Sequence, residues 1–262
     1  MTSIMGILCK DGVVIGSDSA ATFGNSRLRT IEQPCEKLTV IGGHIIVAGT
    51  GHVGLGQRFC DVVQKAWDNK EFGPSFIALG RALSANAIRD FGQTYIKPGQ
   101  YGALLAYTAG DTFHLGEFGI DDFQPEWKTK QLWFASMGSA QGITDPFLAF
   151  LREVFWESEM PTVQEASFAI TWTLEHAIQY NPGGVNGPPR VAVIERQKGK
   201  LGTRILSEAE LDEHKQSIGA AKDALKRFRD YLQPEESSMV VPTAEKQDFA
   251  SVLPSSLPNR SN

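Results

Sequence analysis

The chain is poor in cysteine: Cys9, Cys35 and Cys60 are the only three in 262 residues. Their number is odd and none stand in C-x-x-C spacing, so neither a disulfide framework nor a zinc site is indicated. The five histidines, His44, His52, His114, His176 and His214, also lack ligand spacing. No metal and no cofactor is therefore expected. Positive charge is not in surplus either. The formal net charge is −5, without the basic footprint of a nucleic-acid-binding protein. No apolar run reaches the length of a membrane span, and the one at residues 4–8 is too short for a signal peptide. A reducing cytoplasm is the expected location. Gly49-Thr50-Gly51-His52-Val53-Gly54 lacks the lysine and the glycine spacing of a phosphate-binding loop.

What is present is an ordinary globular composition, 42% hydrophobic and 21% charged, in a chain long enough to bury a sizeable core. Two apolar runs flank Lys10-Asp11-Gly12, and Asp-Gly between β-rich runs signals a hairpin. Strands are expected at residues 3–10 and 13–18, and at 36–41 and 44–49 across Gly42-Gly43. Residues 19–35, with Gly24, Asn25 and Pro34, read as a loop. Apolar stripes at helical spacing predict helices at 52–70 and 75–96. Strands return at 101–108, 112–118 and 131–136, with a polar connection at 120–130. Helices follow at 143–157 and 162–179, then a Gly/Pro loop from Asn181 to Pro189 that reads as mobile, then strands at 190–196 and 201–206. Segregated runs of strands and helices favour layered α+β packing over a parallel α/β sheet.

The beginning of the chain carries the chemistry. The first hairpin returns Asp18 towards Thr2. Residue two is small, so removal of Met1 is expected, which gives Thr2 both a hydroxyl and a free α-amine. A threonine hydroxyl is a poor nucleophile without a base. An α-amine titrates near ~7.7 to 8.0, close to working pH, so one residue can supply both. Taken alone, Met1-Thr2-Ser3 reads as a frayed terminus.

The residues that follow change that reading. Thr2 to Asp18, then Ser19-Ala20-Ala21-Thr22, resembles the start of proteasome β-subunits and of the bacterial HslV peptidase. That family opens with threonine, has Asp-Gly or Asn-Gly at the first hairpin, and continues Asp-Ser-x-Ala-Thr. Phe23-Gly24-Asn25 is similar to its Gly-Asn loop. Glu36-Lys37-Leu38-Thr39-Val40-Ile41 and His44-Ile45-Ile46-Val47-Ala48-Gly49-Thr50-Gly51 are similar to its lysine strand, the next strand and the small-residue turn after it. The loop before Lys37 is a few residues longer than usual. The resemblance covers residues 2–206 and marks the chain as a divergent bacterial-type proteasome homologue.

The resemblance implies a four-layer αββα sandwich of the N-terminal-nucleophile (Ntn) hydrolase type. It implies that Thr2 is the nucleophile, that Lys37 lies beneath it and favours the uncharged amine, and that Asp18 orients Lys37. Gly51 falls on the oxyanion glycine, and Ser139 on the serine that hydrogen-bonds near the amine. No propeptide precedes Thr2, so a methionine aminopeptidase is expected to suffice. Two departures stand out. Ala20 replaces the family's arginine, and Gln179 and Pro182 replace an acid and a serine that support the amine.

The expected activity is a threonine-type, proteasome-like peptidase. A substrate-specific Ntn amidase or transpeptidase and a catalytically silent ring subunit are the alternatives. A peptide or protein substrate and a homo-oligomer, by resemblance a ring, are the expected partners. Ser207-Glu208-Ala209-Glu210 is a capping-box pattern that opens an extra C-terminal helix, 207–232. Residues 233–262, rich in Pro, Ser and Glu, are expected to form a disordered tail.

Overall fold

The computed structural model describes residues 2–24, 29–95, 99–157, 159–181, 184–197 and 200–232. The chain runs β1 (Ser3–Leu8), β2 (Gly12–Ser17), β3 (Ala20–Gly24), β4 (Arg29–Pro34), β5 (Leu38–Ile41) and β6 (Ile45–Gly51). Helices α1 (Val53–Asp68) and α2 (Phe76–Gly92) follow, then β7 (Tyr101–Ala109), β8 (Thr112–Phe118), β9 (Pro125–Trp127) and β10 (Phe134–Gly138). The chain continues with α3 (Gln141–Phe155), α4 (Val163–Tyr180), β11 (Arg190–Gln197), β12 (Lys200–Ile205) and α5 (Glu208–Tyr231).

Two antiparallel five-stranded sheets form the middle, in the orders β10-β1-β2-β11-β12 and β5-β6-β7-β8-β9. Strands β1 and β2 of the first sheet pack on β6 and β8 of the second, α3 and α4 cover the first sheet, and α1 and α2 cover the second. This is the expected four-layer αββα sandwich. Both β1 and β2 are buried along their whole length, because each has a strand on either side, a sheet behind and a helix in front. Their near-continuous apolar sequence follows from burial on two faces.

The helices place their stripes inward. Leu55, Phe59, Val63 and Ala66 of α1 and Leu79, Leu83, Ala87 and Phe91 of α2 are buried in one cluster with Val47, Tyr101 and Phe118. On α4, Ala166, Ile170 and Leu174 are fully buried, and a capping box at Thr162 and Glu165 starts the helix. Asp11 of the first turn accepts the Val163 N–H at 2.8 Å, which ties the hairpin to the start of α4. The Ser207–Glu210 capping box forms as its pattern predicts.

Several expectations are corrected. Residues 19–35 are not a loop throughout: β3 and β4 pair as a separate two-stranded sheet. Gly24 and Pro34 mark its turn and its end rather than a break, since Pro34 needs no ladder donor at the end of a two-stranded ribbon. Asn25 lies outside the described residues. The connection 120–130 contains the short edge strand β9, paired with β8. The strand expected at 131–136 is shifted to 134–138, because pairing with β1 sets its register and Trp133 is buried before it begins.

Contacts divide the chain into a body, residues 1–214, and a second unit from Lys215 onward. The described part of that unit is the remainder of α5, on which Leu225, Phe228 and Tyr231 are exposed. The expected tail, 233–262, lies outside the described residues. Among the described residues, no helix is long and apolar enough to cross a membrane, and no cluster of His, Cys, Asp or Glu could hold a metal ion.

Candidate active site

Thr2 immediately precedes β1, which is paired on one side with β2 and on the other with β10. The hairpin sets Ile4 opposite Ser17, so Asp18 lies beside Ser3. There the two residues exchange hydrogen bonds. The Asp18 N–H donates to the Ser3 carbonyl at 3.1 Å, and the Ser3 N–H donates to Asp18 Oδ1 at 2.8 Å. Asp18 is fully buried.

Lys37 enters from the segment before β5 and places Nζ 2.6 Å from Asp18 Oδ1, with its side chain 6% exposed. Burial holds the Lys37 ammonium below its ordinary pKa, against the opposing pull of Asp18, Cys35 and Glu32. A cation kept charged mainly by one carboxylate is easily discharged, which suits a group that governs a neighbouring proton.

Strand β10 supplies the other side. Ser139 Oγ accepts the Thr2 N–H at 3.1 Å and lies 3.3 Å from the Thr2 carbonyl, to which it can donate. Gly138 makes this contact possible. Its φ is +105°, and a Cβ there would lie 2.3 Å from the Thr2 carbonyl oxygen. Gly51, with φ +102°, closes β6 where a Cβ would meet the Gln100 carbonyl. It lies just before the start of α1, where helical N–H groups are unpaired by geometry.

Thr2, Lys37 and Gly51 line one cavity of about 760 Å³. Its walls come from β6, the start of α1, Tyr101 of β7 and the β3–β4 ribbon, which contributes Ala21, Thr22 and the half-exposed Phe23. Cys35 and Cys60 also border it, and all three cysteines are free thiols. Burial pushes the Cys60 thiol up, which keeps it protonated.

The five site residues expected from sequence are thus brought together: Thr2, Lys37 and Gly51 on the cavity, Asp18 on Lys37, and Ser139 on Thr2. Gln179 and Pro182 are different. Gln179 lies in α4, and Pro182 lies outside the described residues. Sequence reasoning missed Gly138, Tyr101, Glu32 and Asn186. The glycine was the one visible signal, since a Gly-Ser pair after a strand marks a left-handed turn. Tyr101 and Asn186 meet the site only through long-range packing, and Glu32 through the unexpected β3–β4 ribbon. Residues 184–188 are also not the loose loop expected. Ser19 Oγ donates to the Pro188 carbonyl at 2.7 Å, Thr22 Oγ1 to the Gly184 carbonyl at 3.3 Å, and the Ser19 N–H to the Asn186 carbonyl at 3.1 Å.

Residues 1–118 match the family model described as proteasome subunit. The proteasome subunit beta of Methanocella paludicola is 24% identical over 217 residues, spanning 76% of this chain and 94% of that protein. Proteasome subunit beta 1 of Thermococcus kodakarensis is 40% identical over 53 residues, 20% of this chain and 25% of that protein. Among solved structures, Anbu from Hyphomicrobium sp. strain MC1 superposes with a TM-score of 0.66 at 13% identity, covering 90% of this chain and all of that one. Its Gly-1 mutant superposes with a TM-score of 0.67 at 14% identity, covering 91% of this chain and all of that one.

Proposed function

We propose that this chain, whose residues 1–118 match the proteasome-subunit family model and which is 24% identical to a proteasome β-subunit over 217 residues, is a threonine-type Ntn hydrolase that cleaves amide bonds in peptides. Removal of Met1 frees the Thr2 α-amine. The Thr2 hydroxyl attacks the substrate carbonyl while its proton passes to that amine, beside Ser139. Negative charge develops on the carbonyl oxygen and is stabilised by the Gly51 N–H, a fixed donor of the kind that typically contributes ~10²-fold or more. Collapse of the intermediate expels the leaving amine with the proton, leaving an ester on Thr2. Water, deprotonated by the same amine, hydrolyses that ester. Lys37 keeps the amine neutral through its positive charge, and Asp18 holds Lys37 in place.

One observation carries the reading: Thr2 lies on a cavity shared with Lys37, whose ammonium is paired with the fully buried Asp18. The test joins intact mass with labelling by a peptide epoxyketone or β-lactone. A mature protein starting at Thr2, modified on Thr2 and unmodified after Thr2→Ala, supports it. Retention of Met1 in active protein, or labelling elsewhere, overturns the free-amine mechanism. Absence of any modification moves the chain to a scaffold role.

The same proposal extends to assembly and location. A homo-oligomer is the common outcome for soluble chains of this kind, and α3 leaves Phe150, Val154 and Phe155 half-exposed on its outer face. Free thiols suit a reducing cytoplasm. Sedimentation of the full-length protein at micromolar concentration checks the assembly, and a single monomeric species would move weight to a monomeric amidase.

A further inference from the structure

Asn186 sits at a junction that the sequence pattern does not explain. Its backbone N–H points to Asp18 Oδ2 at 3.4 Å, while Lys37 Nζ lies 2.6 Å from the other oxygen, Oδ1. Its side-chain amide donates to Glu32 Oε1 at 2.7 Å. The other side-chain atom, Oδ1, accepts the Gly187 N–H at 2.7 Å and so fixes the amide's orientation. The segment around it is strapped down by Ser19 and Thr22. One residue therefore touches the carboxylate bound to Lys37 and also a second carboxylate, on β4, whose charge acts on Lys37.

Glu32 belongs to the β3–β4 ribbon, which pairs with neither large sheet and cannot be held by ladder hydrogen bonds from them. Its side chain is exposed, so without a partner it would spread over many rotamers and its field at Lys37 would be diluted by water. The bond from Asn186 removes that freedom.

We propose that Asn186 is a positioning residue of the active site, bracing Asp18 through its main chain and holding Glu32 through its side chain as a second carboxylate acting on Lys37. The inference rests on Thr2 being the nucleophile. The groups that act on Lys37 include Asp18 after β2, Glu32 on β4 and Cys35 on its own segment, and the proposed mechanism adds the Thr2 α-amine. Removing the Glu32 charge lowers the tendency of both Lys37 and the Thr2 amine to hold a proton. Both limbs of the pH–rate profile for Thr2 acylation then move to lower pH.

The experiment uses the full-length mature protein and a β-lactone, with the acylation rate followed by intact mass across pH. Glu32→Gln should shift both limbs to lower pH. Asn186→Ala leaves the main-chain N–H on Asp18 but frees Glu32, so it should shift both limbs the same way and lower the peak acylation rate. Asn186→Asp places like charges together and should be slower still. Adding Glu32→Gln to Asn186→Asp reverses donor and acceptor and should recover part of the rate. Unchanged rates and profiles in Glu32→Gln and Asn186→Ala would overturn the proposal. So would a uniform slowing with no shift in pH dependence, which a merely structural loop would give. Failure of the wild type to label on Thr2 would instead defeat the threonine-hydrolase reading itself, and this inference with it.

Discussion

Ser3 and Lys37 share a single oxygen: Asp18 Oδ1 accepts the Ser3 N–H at 2.8 Å and Lys37 Nζ at 2.6 Å. The strand that follows Thr2 and the Lys37 cation are thereby referred to one fixed point. Whatever moves Asp18 moves both.

Lys37→Ala therefore has two expected consequences. Asp18 keeps its Ser3 hydrogen bond but loses its cation while fully buried, and stranding one member of a buried pair costs about 3–5 kcal/mol. Acylation of Thr2 should fall by ~10²-fold or more, the scale of losing a group that sets a proton-transfer partner. Urea unfolding and β-lactone labelling check the two separately. Asp18→Asn removes the charge but keeps an oxygen acceptor for Ser3, and its stability loss should be the smaller. Equal labelling of wild type and Lys37→Ala would exclude a role for this lysine.

The pH dependence follows from the same pair. Acylation should rise as the Thr2 amine loses its proton and fall again when Lys37 does. Burial lowers the Lys37 pKa, so the alkaline loss should occur below the ~10.4 of a free lysine. Stability has the opposite slope in that window. Between the depressed folded value and the unfolded value, the unfolded chain binds more protons at Lys37 than the folded one. The contribution of Lys37 to stability therefore increases with pH there. Chemical denaturation at a series of alkaline pH values compares wild type with Lys37→Met, in which this increment should vanish.

Gly138 tests the contact between β10 and Thr2. Alanine at φ +105° is strained, and its Cβ would fall 2.3 Å from the Thr2 carbonyl oxygen. Gly138→Ala should destabilise the fold by roughly 1–3 kcal/mol and displace Thr2 from Ser139, abolishing labelling. Gly142, in the first turn of α3, has nothing within 4 Å of a built Cβ. Gly142→Ala should be neutral or stabilise by up to about 1 kcal/mol, with labelling intact. Similar behaviour of the two variants would mean that the close approach at Gly138 does not position the nucleophile.

Much of this was legible in the sequence, and the limits have physical reasons. The Asp-Gly signal located the hairpin, but the turn falls on Lys10-Asp11 with Gly12 already in β2, and the resulting register of β1 on β2 delivers Asp18 to Ser3. Helical stripes located α1, α2 and α4 because burial of one face is local information. The β3–β4 ribbon was missed because it packs on neither sheet through its ladder, and its glycine and proline look like breakers. Glu32, Tyr101 and Asn186 were missed for a different reason. Tyr101 and Asn186 reach the site from residues distant in sequence, and Glu32, five residues before Lys37, through the pairing of the missed ribbon, none of which a local period encodes.

The lining of the cavity predicts what the site accepts. Gly49 has no side chain, and the Tyr101 hydroxyl lies 2.5 Å from where its Cβ would be. The phenol of β7 thus occupies the space that a side chain on β6 would otherwise fill. Burial raises the Tyr101 pKa, so the hydroxyl stays neutral. Around it Thr39, Val47, Gly56 and Cys60 line the cavity without charge. The charged lining groups are Lys37, paired with Asp18, and Glu36, which is exposed and paired with Arg190. An uncharged substrate side chain beside the scissile bond should therefore be preferred over lysine, arginine, aspartate or glutamate, because an ionised group would be desolvated there without a partner. A side chain with an amide tip gains a hydrogen bond to Tyr101, worth about 0.5–1.5 kcal/mol, or roughly 2- to 12-fold in kcat/KM. Tyr101→Phe preserves the shape and removes only that bond, so it should lower cleavage after glutamine relative to leucine by this factor. Fluorogenic peptides differing only at that residue give the ratio directly. A wild-type preference for a charged residue, or a glutamine-to-leucine ratio unmoved by Tyr101→Phe, would show that Tyr101 does not gauge the substrate.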